Sequence, residues 1–278
     1  MTDPHRGEAA AVSKTPGPPP TRSSLGSDLR KLGLASGATV LVHSSLSALG
    51  WVVGGAEAVV LALEEVLGEG GTLMMPAYSM NAPEPALWKD PPVPESWWET
   101  IRSEWPPFDP DLSPPLRLGT IPETFRHQRG SVRSYHPNHS FCARGPNALR
   151  LLENHALDDS MGEGSPLARL YELRGGVLLL GVDHSSNSSI HLAEYRAHWP
   201  GKHSEQNRRA RVLRKGALVE ISMKDLDLNS DDFGTLGERF ESETGSVRTG
   251  PVGVGRGRLM DQRTLVDYAV GWMEAHRK

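Results

Sequence analysis

Thr39-Val40-Leu41-Val42-His43 and Thr72-Leu73-Met74-Met75-Pro76 are two short apolar runs separated by a stretch of helical character from about Ala56 to Leu67. Gly54-Gly55 precede that helix, Gly68 to Gly71 end it, and Pro76 stops the second run. Strand, helix and strand in this order make a βαβ unit, whose strands run parallel and are joined by a right-handed crossover. A third run, Val177-Leu178-Leu179-Leu180, is bounded by glycines. Continuous rather than alternating apolar character suits a strand covered on both faces. Later, Arg211-Val212-Leu213 and Ala217-Leu218-Val219-Glu220-Ile221 flank Arg214-Lys215-Gly216, an antiparallel hairpin signal. These segments predict an α/β fold with a central mixed, mainly parallel sheet covered by helices.

A chain of 278 residues can bury one sizeable core, and residues 25–278 are expected to form a single domain. Residues 1–24 contain TPGPPPTRSS and almost no large apolar side chain, which predicts a flexible tail. Leu25 to Leu34 reads as a short amphipathic helix, as do Ile121 to Gln128, Asn147 to Glu153, a segment starting at Ser165-Pro166, and Thr264 to His276. Residues 81–115 differ in kind. They are rich in Pro and Trp, show no sustained period, and fit either a lid-like insertion over a ligand cleft or an oligomer contact. The run GPVGVGRGR at 250–258 lacks the strand-to-helix context of a dinucleotide fingerprint and is expected to be a loop.

Charge and cysteine content exclude several classes. A net charge of -4 offers no basic face for nucleic acid. The single Cys142 excludes an internal disulfide framework and a thiolate-rich zinc site. No apolar run is long enough for a bilayer, and no signal-peptide core is present, so a cytoplasmic protein without a membrane partner is expected.

Chemistry concentrates after the third strand. There Gly181 turns the backbone into a polar loop, Asp183 to Ser189, and a helix begins near Ile190. His191 and Glu194 then project from one helical face, close enough for a carboxylate to orient an imidazole at the C-terminal end of a buried strand. The same spacing also describes a helix-start histidine bonded to backbone. His43-Ser44-Ser45-Leu46-Ser47 follows the first strand directly, where it can bond a ligand or form an ordinary capped turn. There is no G-x-S-x-G elbow and no phosphate loop. His184, His191, Glu194, His198 and His203 are close in sequence, but without H-E-x-x-H no metal is expected. Asp225, Asp227, Asp231 and Asp232 read as a loop that is either a solvated surface or an attractor of a polycation.

Eight stretches in order resemble the aminoglycoside 3-N-acetyltransferases of the antibiotic N-acetyltransferase family, which are unrelated in fold to the GNAT acetyltransferases. They are VLVHSSLSALG at 40–50, GGTLMMPAYS at 70–79, FDPDLSPP at 108–115, LGTIPETFR at 118–126, VRSYHPNHSFCARGP at 132–146, GSPLARLYEL at 164–173, VLLLGVDHSSNSSIHLAE at 177–194 and GPVGVGRGRL at 250–259. The resemblance implies that fold, and direct transfer of an acetyl group from acetyl-CoA to the 3-amino group of the deoxystreptamine ring of an aminoglycoside antibiotic, conferring resistance. It implies His191 as general base and Glu194 as its orienter, with no cysteine intermediate. It assigns His43, Ser44, Ser45, Leu46 and Ser47, with Thr120, Arg133 and Ser134, to coenzyme A. Tyr78, Asp109, Glu123, Asp183, Asn187, Asp225 and Asp227 fall to the drug. Family members often carry Asp six residues before the histidine; this chain has Ser185. A monomer or homodimer is expected. The alternatives are the same fold acetylating a non-antibiotic amine, or a non-catalytic aminoglycoside-binding protein.

Overall fold

The computed structural model describes residues 6–79, 84–89, 91–202, 204–214 and 216–278. Helices α1 (Arg6–Ser13) and α2 (Arg22–Leu32) precede the βαβ unit of β1 (Thr39–Ser44), α3 (Gly55–Leu67) and β2 (Thr72–Pro76). The chain continues through α4 (Trp98–Glu104), α5 (Thr120–Arg126), short strands β3 (Val132–Arg133) and β4 (Phe141–Arg144), α6 (Ala148–Leu152), α7 (Pro166–Glu172), β5 (Gly176–Leu180) and α8 (Ser189–Arg196). Then follow the hairpin β6 (Ser204–Arg214) and β7 (Ala217–Leu226), α9 (Phe233–Thr244), a second hairpin of β8 (Arg248–Val252) and β9 (Gly255–Asp261), and α10 (Gln262–His276).

Seven strands form one mixed sheet in the order β3-β4-β2-β1-β5-β9-β8. At its centre β1 pairs in parallel with both β2 and β5, Leu41 standing opposite Met74 on one side and Val177 on the other. The flanking pairs are antiparallel. Because successive side chains point to opposite faces, the apolar central strands feed two cores. Val40, Val42, Leu73, Met75, Leu178 and Leu180 pack with α2, α3 and α5 on one face. Leu41, Met74, Val177 and Leu179 pack with α7, α8 and α10 on the other. This double covering explains why those strands read as unbroken apolar runs.

Three segments depart from expectation. GPVGVGRGR is not a loop but most of the β8–β9 hairpin, with Gly257 opposite Leu180. Its glycines permit close approach: a Cβ on Gly257 would lie 2.7 Å from Leu32 of α2, and one on Gly255 would lie 2.4 Å from the Ala48 carbonyl oxygen. Within the stretch expected to be a tail, α1 forms and Ala11 is buried; Trp51 donates from Nε1 to Glu8 (3.2 Å) and from its backbone N–H to Thr15 Oγ1 (2.8 Å). The Ala-rich run 9–11 has high helix propensity, and a partner distant in sequence supplies the packing that the segment's composition lacks. Residues 1–5 lie outside the described residues, as does His203. Asp225 lies within β7, not in a loop.

Of the Pro- and Trp-rich stretch, residues 81–83 and 90 lie outside the described residues. Its Phe108 is fully buried with Ala210, Val212, Ile221 and Met223, and its N–H donates to the Arg211 carbonyl at 2.7 Å. The stretch therefore packs on the β6–β7 hairpin. No helix is long and apolar enough to cross a membrane among the described residues.

Candidate active site

The chain leaves β1 through α3 towards β2 and leaves the adjacent β5 through α8 on the opposite face of the sheet, and ligand crevices open beyond the carboxyl ends of strands at such a point. A cleft of about 950 Å³ occupies that position. His43, Ser44, Ser45, Leu46 and Ser47 line it from the end of β1, Tyr78 from beyond β2, Thr120 from the start of α5, and Asn187, Ser188 and His191 from the segment after β5. Ser45 N–H donates to the Leu180 carbonyl at 2.9 Å, tying the loop after β1 to the end of β5. Gly54 and Gly55, at the N-terminus of α3, form another part of the wall, and no side chain caps that helix.

His43 is buried, and its Nε2 accepts the Ser188 N–H at 3.3 Å. Burial, with His191 nearby, pulls its pKa down to about 3, so it is a neutral imidazole. The Tyr78 hydroxyl donates to Ser188 Oγ at 2.6 Å, and burial raises its pKa. Ser44 Oγ is buried without a partner among the described residues.

His191 and Glu194 meet as their spacing predicts, with Nδ1 and Oε2 2.5 Å apart. The imidazole is 16% exposed and the carboxylate 1%. Glu194 Oε1 accepts the Asn229 N–H (3.1 Å) and Arg277 Nη1 (2.6 Å). Phe233 packs against the His191 ring at 4.7 Å between centroids. A carboxylate at Nδ1 fixes the tautomer that carries its proton there and leaves the Nε2 lone pair available to take a proton. Arg277, Asn229, Phe233 and Ser188 escaped sequence reading. Arg277 is 83 residues from Glu194, and no local pattern marks it.

The remaining predicted residues take other places. Arg133 donates to the carbonyls of Pro110, Ser113 and Ala77 and stacks over Phe108; Ser134 bonds His155 Nδ1 and the Phe141 N–H. Neither lines the cleft. Asp109 accepts the N–H groups of Asp111 and Leu112 in its own turn, and Glu123 pairs with Arg126 and His127. Asp183 caps the turn 184–186 through Ser185, whose hydroxyl bond helps hold its carboxyl below the usual range. Asp225 accepts the Tyr195 hydroxyl, and Asp227 is exposed just past β7. None of these five carboxylates lines the cleft. Asn187 does, and its side chain bonds His184 Nδ1 at 3.4 Å and the Ser189 N–H at 3.2 Å. Cys142 is buried in β4, and burial pushes its thiol up to about 12, which removes it as a nucleophile near neutral pH. Among the described residues no group of three His, Cys, Asp or Glu side chains is placed to hold a metal.

Comparison with known proteins identifies the scaffold. A family model described as aminoglycoside 3-N-acetyltransferase matches residues 41–274. The chain is 42% identical over 255 residues to the SPbeta prophage-derived aminoglycoside N(3')-acetyltransferase-like protein YokD of Bacillus subtilis, covering 91% of this chain and 92% of that one. The crystal structure of YokD superposes with a TM-score of 0.92 at 40% identity, covering 96% and 98% of the two chains. Aminoglycoside N(3)-acetyltransferase VII of Streptomyces paromomycinus is 39% identical, with 96% of each chain covered. Two further structures, AAC-IIIb as a binary complex with CoASH and AAC-VIa bound to sisomicin, superpose with TM-scores of 0.81 at 32% and 31% identity, covering 92% of this chain and 96% and 98% of theirs. Eight motifs in sequence order, one mixed sheet and one cleft thus coincide with a single lineage: the chain belongs to the aminoglycoside 3-N-acetyltransferase family of acyltransferases.

Proposed function

We propose that this enzyme transfers the acetyl group of acetyl-CoA directly to the 3-amino group of an aminoglycoside, with His191 as general base and Glu194 as its orienter. The observation that carries this reading is the His191–Glu194 contact in the wall of the cleft beyond β1 and β5. An ammonium cannot attack a thioester, so the acceptor must lose a proton first or during attack. The ammonium gives its first proton to solvent, and as the neutral amine attacks, His191 Nε2 takes the second proton from the nitrogen while Glu194 stabilises the imidazolium. The amine lone pair forms the C–N bond to the thioester carbonyl, the C–S bond breaks with its electron pair on sulfur, and His191 returns the proton to the departing thiolate.

Acetyl-CoA supplies the activated carbonyl, and the wall residues suit such a donor. Ser44 Oγ, buried without a described partner, is a hydrogen-bonding group for an amide of the pantetheine arm. The uncapped start of α3 offers N–H groups to phosphate. The coenzyme A complex of AAC-IIIb supports the same donor, and the sisomicin complex of AAC-VIa supports an aminoglycoside acceptor. The test is to give purified protein acetyl-CoA with gentamicin, tobramycin, neomycin or apramycin, and to measure thiol release and product mass. Drug-dependent release is expected, falling roughly 10²- to 10⁴-fold in His191→Ala; no release with any drug, or full activity in that variant, overturns the reading.

One observation favours the same chemistry on a non-antibiotic amine. Among the described lining residues Glu8 is the only carboxylate, a sparse complement for a polycation. Mass spectrometry of acetylated products would then find one non-drug amine preferred over every aminoglycoside.

A further inference from the structure

We propose that Arg277 is a positioning residue that orients Glu194 behind His191 and sets the basicity of that histidine. The inference rests on His191 acting as the base.

Glu194 is almost wholly withdrawn from water, and its two oxygens are divided between partners. His191 Nδ1 meets Oε2, while Arg277 Nη1 (2.6 Å) and the Asn229 N–H (3.1 Å) meet Oε1. Arg277 is itself held in place. Nη2 and Nε reach the two oxygens of Asp232 at 2.6 and 2.8 Å, Nη2 also donates to the Asn229 carbonyl at 2.9 Å, and the guanidinium lies over Trp199 at 5.1 Å. A planar fork bound to two carboxylates has little freedom, so it pins the Glu194 carboxylate in the plane that His191 needs. Burial alone would lower the guanidinium pKa, but the bonds to Asp232 and Glu194 hold it above its ordinary value, so the charge is permanent.

That charge has a consequence for the base. The groups facing the dyad are Glu194 on its own helix, His43 at the end of β1, Arg277 beyond α10, Asp232 before α9, and Lys202, whose ammonium bonds the Tyr195 and Ala197 carbonyls near Glu194. His43 is neutral, and Asp232 is engaged by Arg277 itself. Arg277 draws on the negative charge of Glu194 and so weakens the carboxylate's hold on an imidazolium proton. Removing it leaves that charge to His191 alone, and the imidazolium becomes more stable.

The test compares Arg277→Gln, Arg277→Lys and Asp232→Asn with His191→Ala in the intact protein. For Arg277→Gln, kcat is expected to fall about 10- to 100-fold, the range by which outer hydrogen-bond partners tune metal-bound histidines. Both KM values should stay within about twofold. The acid limb of the kcat profile and the His191 ring titration followed by NMR should both move to higher pH, by on the order of one unit. Arg277→Lys keeps the charge and should recover the titration more fully than kcat. Asp232→Asn, which loosens Arg277 without touching Glu194, should lower kcat with a smaller titration shift. An unchanged His191 titration overturns the proposal, even where kcat falls with stability, because a purely structural role would leave the ring's pKa where it was. Full activity in His191→Ala overturns the reading beneath it instead. The NMR titration separates the two failures because it needs no substrate.

Discussion

Glu194 combines near-complete burial with a net charge, a combination tolerated only when every oxygen is engaged, and here His191, Asn229 and Arg277 engage them. In the proposed mechanism the charge of Glu194 stabilises the imidazolium, and the Glu194→Gln substitution removes that charge while keeping the shape. We expect kcat to fall roughly 10²- to 10⁴-fold with little change in donor KM, as for amide replacement of a carboxylate behind a catalytic histidine; a loss below twofold would remove Glu194 from the mechanism. His184 illustrates a residue that serves the cleft without lining it. It is buried, bonds Glu241 from Nε2 at 3.1 Å and Asn187 at Nδ1, and lies so close to α9 that a Cβ on Gly237 would sit 2.0 Å from its ring carbon. The Gly237→Ala change must therefore displace the imidazole or the helix. A loss of about 1–3 kcal/mol is expected in urea unfolding, and an unchanged midpoint would show that the packing yields freely.

At the level of elements, the chemistry is carried by segments of unequal independence. Helix α8 follows a buried parallel strand and presents His191 and Glu194 on one face, and this was legible because the helical spacing itself makes the contact. Helix α1 is the opposite case. Eight residues are too short to hold as a helix in water, so its order depends on Trp51 and on the turn 46–48 beside the cleft. Removing residues 1–16 should open the wall to which Glu8 and Ala11 contribute. We expect acetyl-CoA KM to rise about fivefold, the equivalent of one hydrogen bond, with kcat within twofold because the hydrogen-bond partners that hold His191 and Glu194 come from other elements. An unchanged KM would separate α1 from donor binding. The β8–β9 hairpin was hidden for a related reason. Its alternating glycines weaken any strand signal read locally, yet they admit Leu32 and the Ala48 carbonyl against the sheet.

The whole molecule buries several imidazoles that the unfolded chain would expose. Burial pulls His43 to about 3 and His136 to about 4, and also lowers His155 and His184. Between those values and the ordinary pKa of 6.5, the unfolded chain binds protons that the folded one refuses. The stability from neutral burial is therefore full above about pH 6.5 and is lost as pH falls. At pH 5 the loss is about 2 kcal/mol each for His43 and His136. Urea midpoints measured from pH 7.5 to 5 should drop steadily, and a flat profile would mean that these histidines are protonated without unfolding. The two-stranded β6–β7 hairpin stands apart from the main sheet and is joined to the 84–115 stretch by Phe108. Burial of Phe108 gives the hairpin its apolar partner, while Trp97 of the same stretch stays exposed, and none of the stretch's described residues lines the cleft.

The amino-acid sequence by itself determined the parallel centre of the sheet and the pairing of His191 with Glu194. Both rest on short-range rules: the period of apolar residues along a strand, and the proximity of side chains three apart on a helix. Tertiary structure alone decided which acidic and basic groups approach the dyad. Arg277, Asn229 and Asp232 arrive from other elements, while Asp109, Glu123, Asp183 and Asp225 turn to partners near them in the fold. A charged side chain has no sequence period that reveals its partner. Where it points depends on which neighbour replaces the water lost on burial, and that neighbour is chosen only when the sheet and its helices have packed.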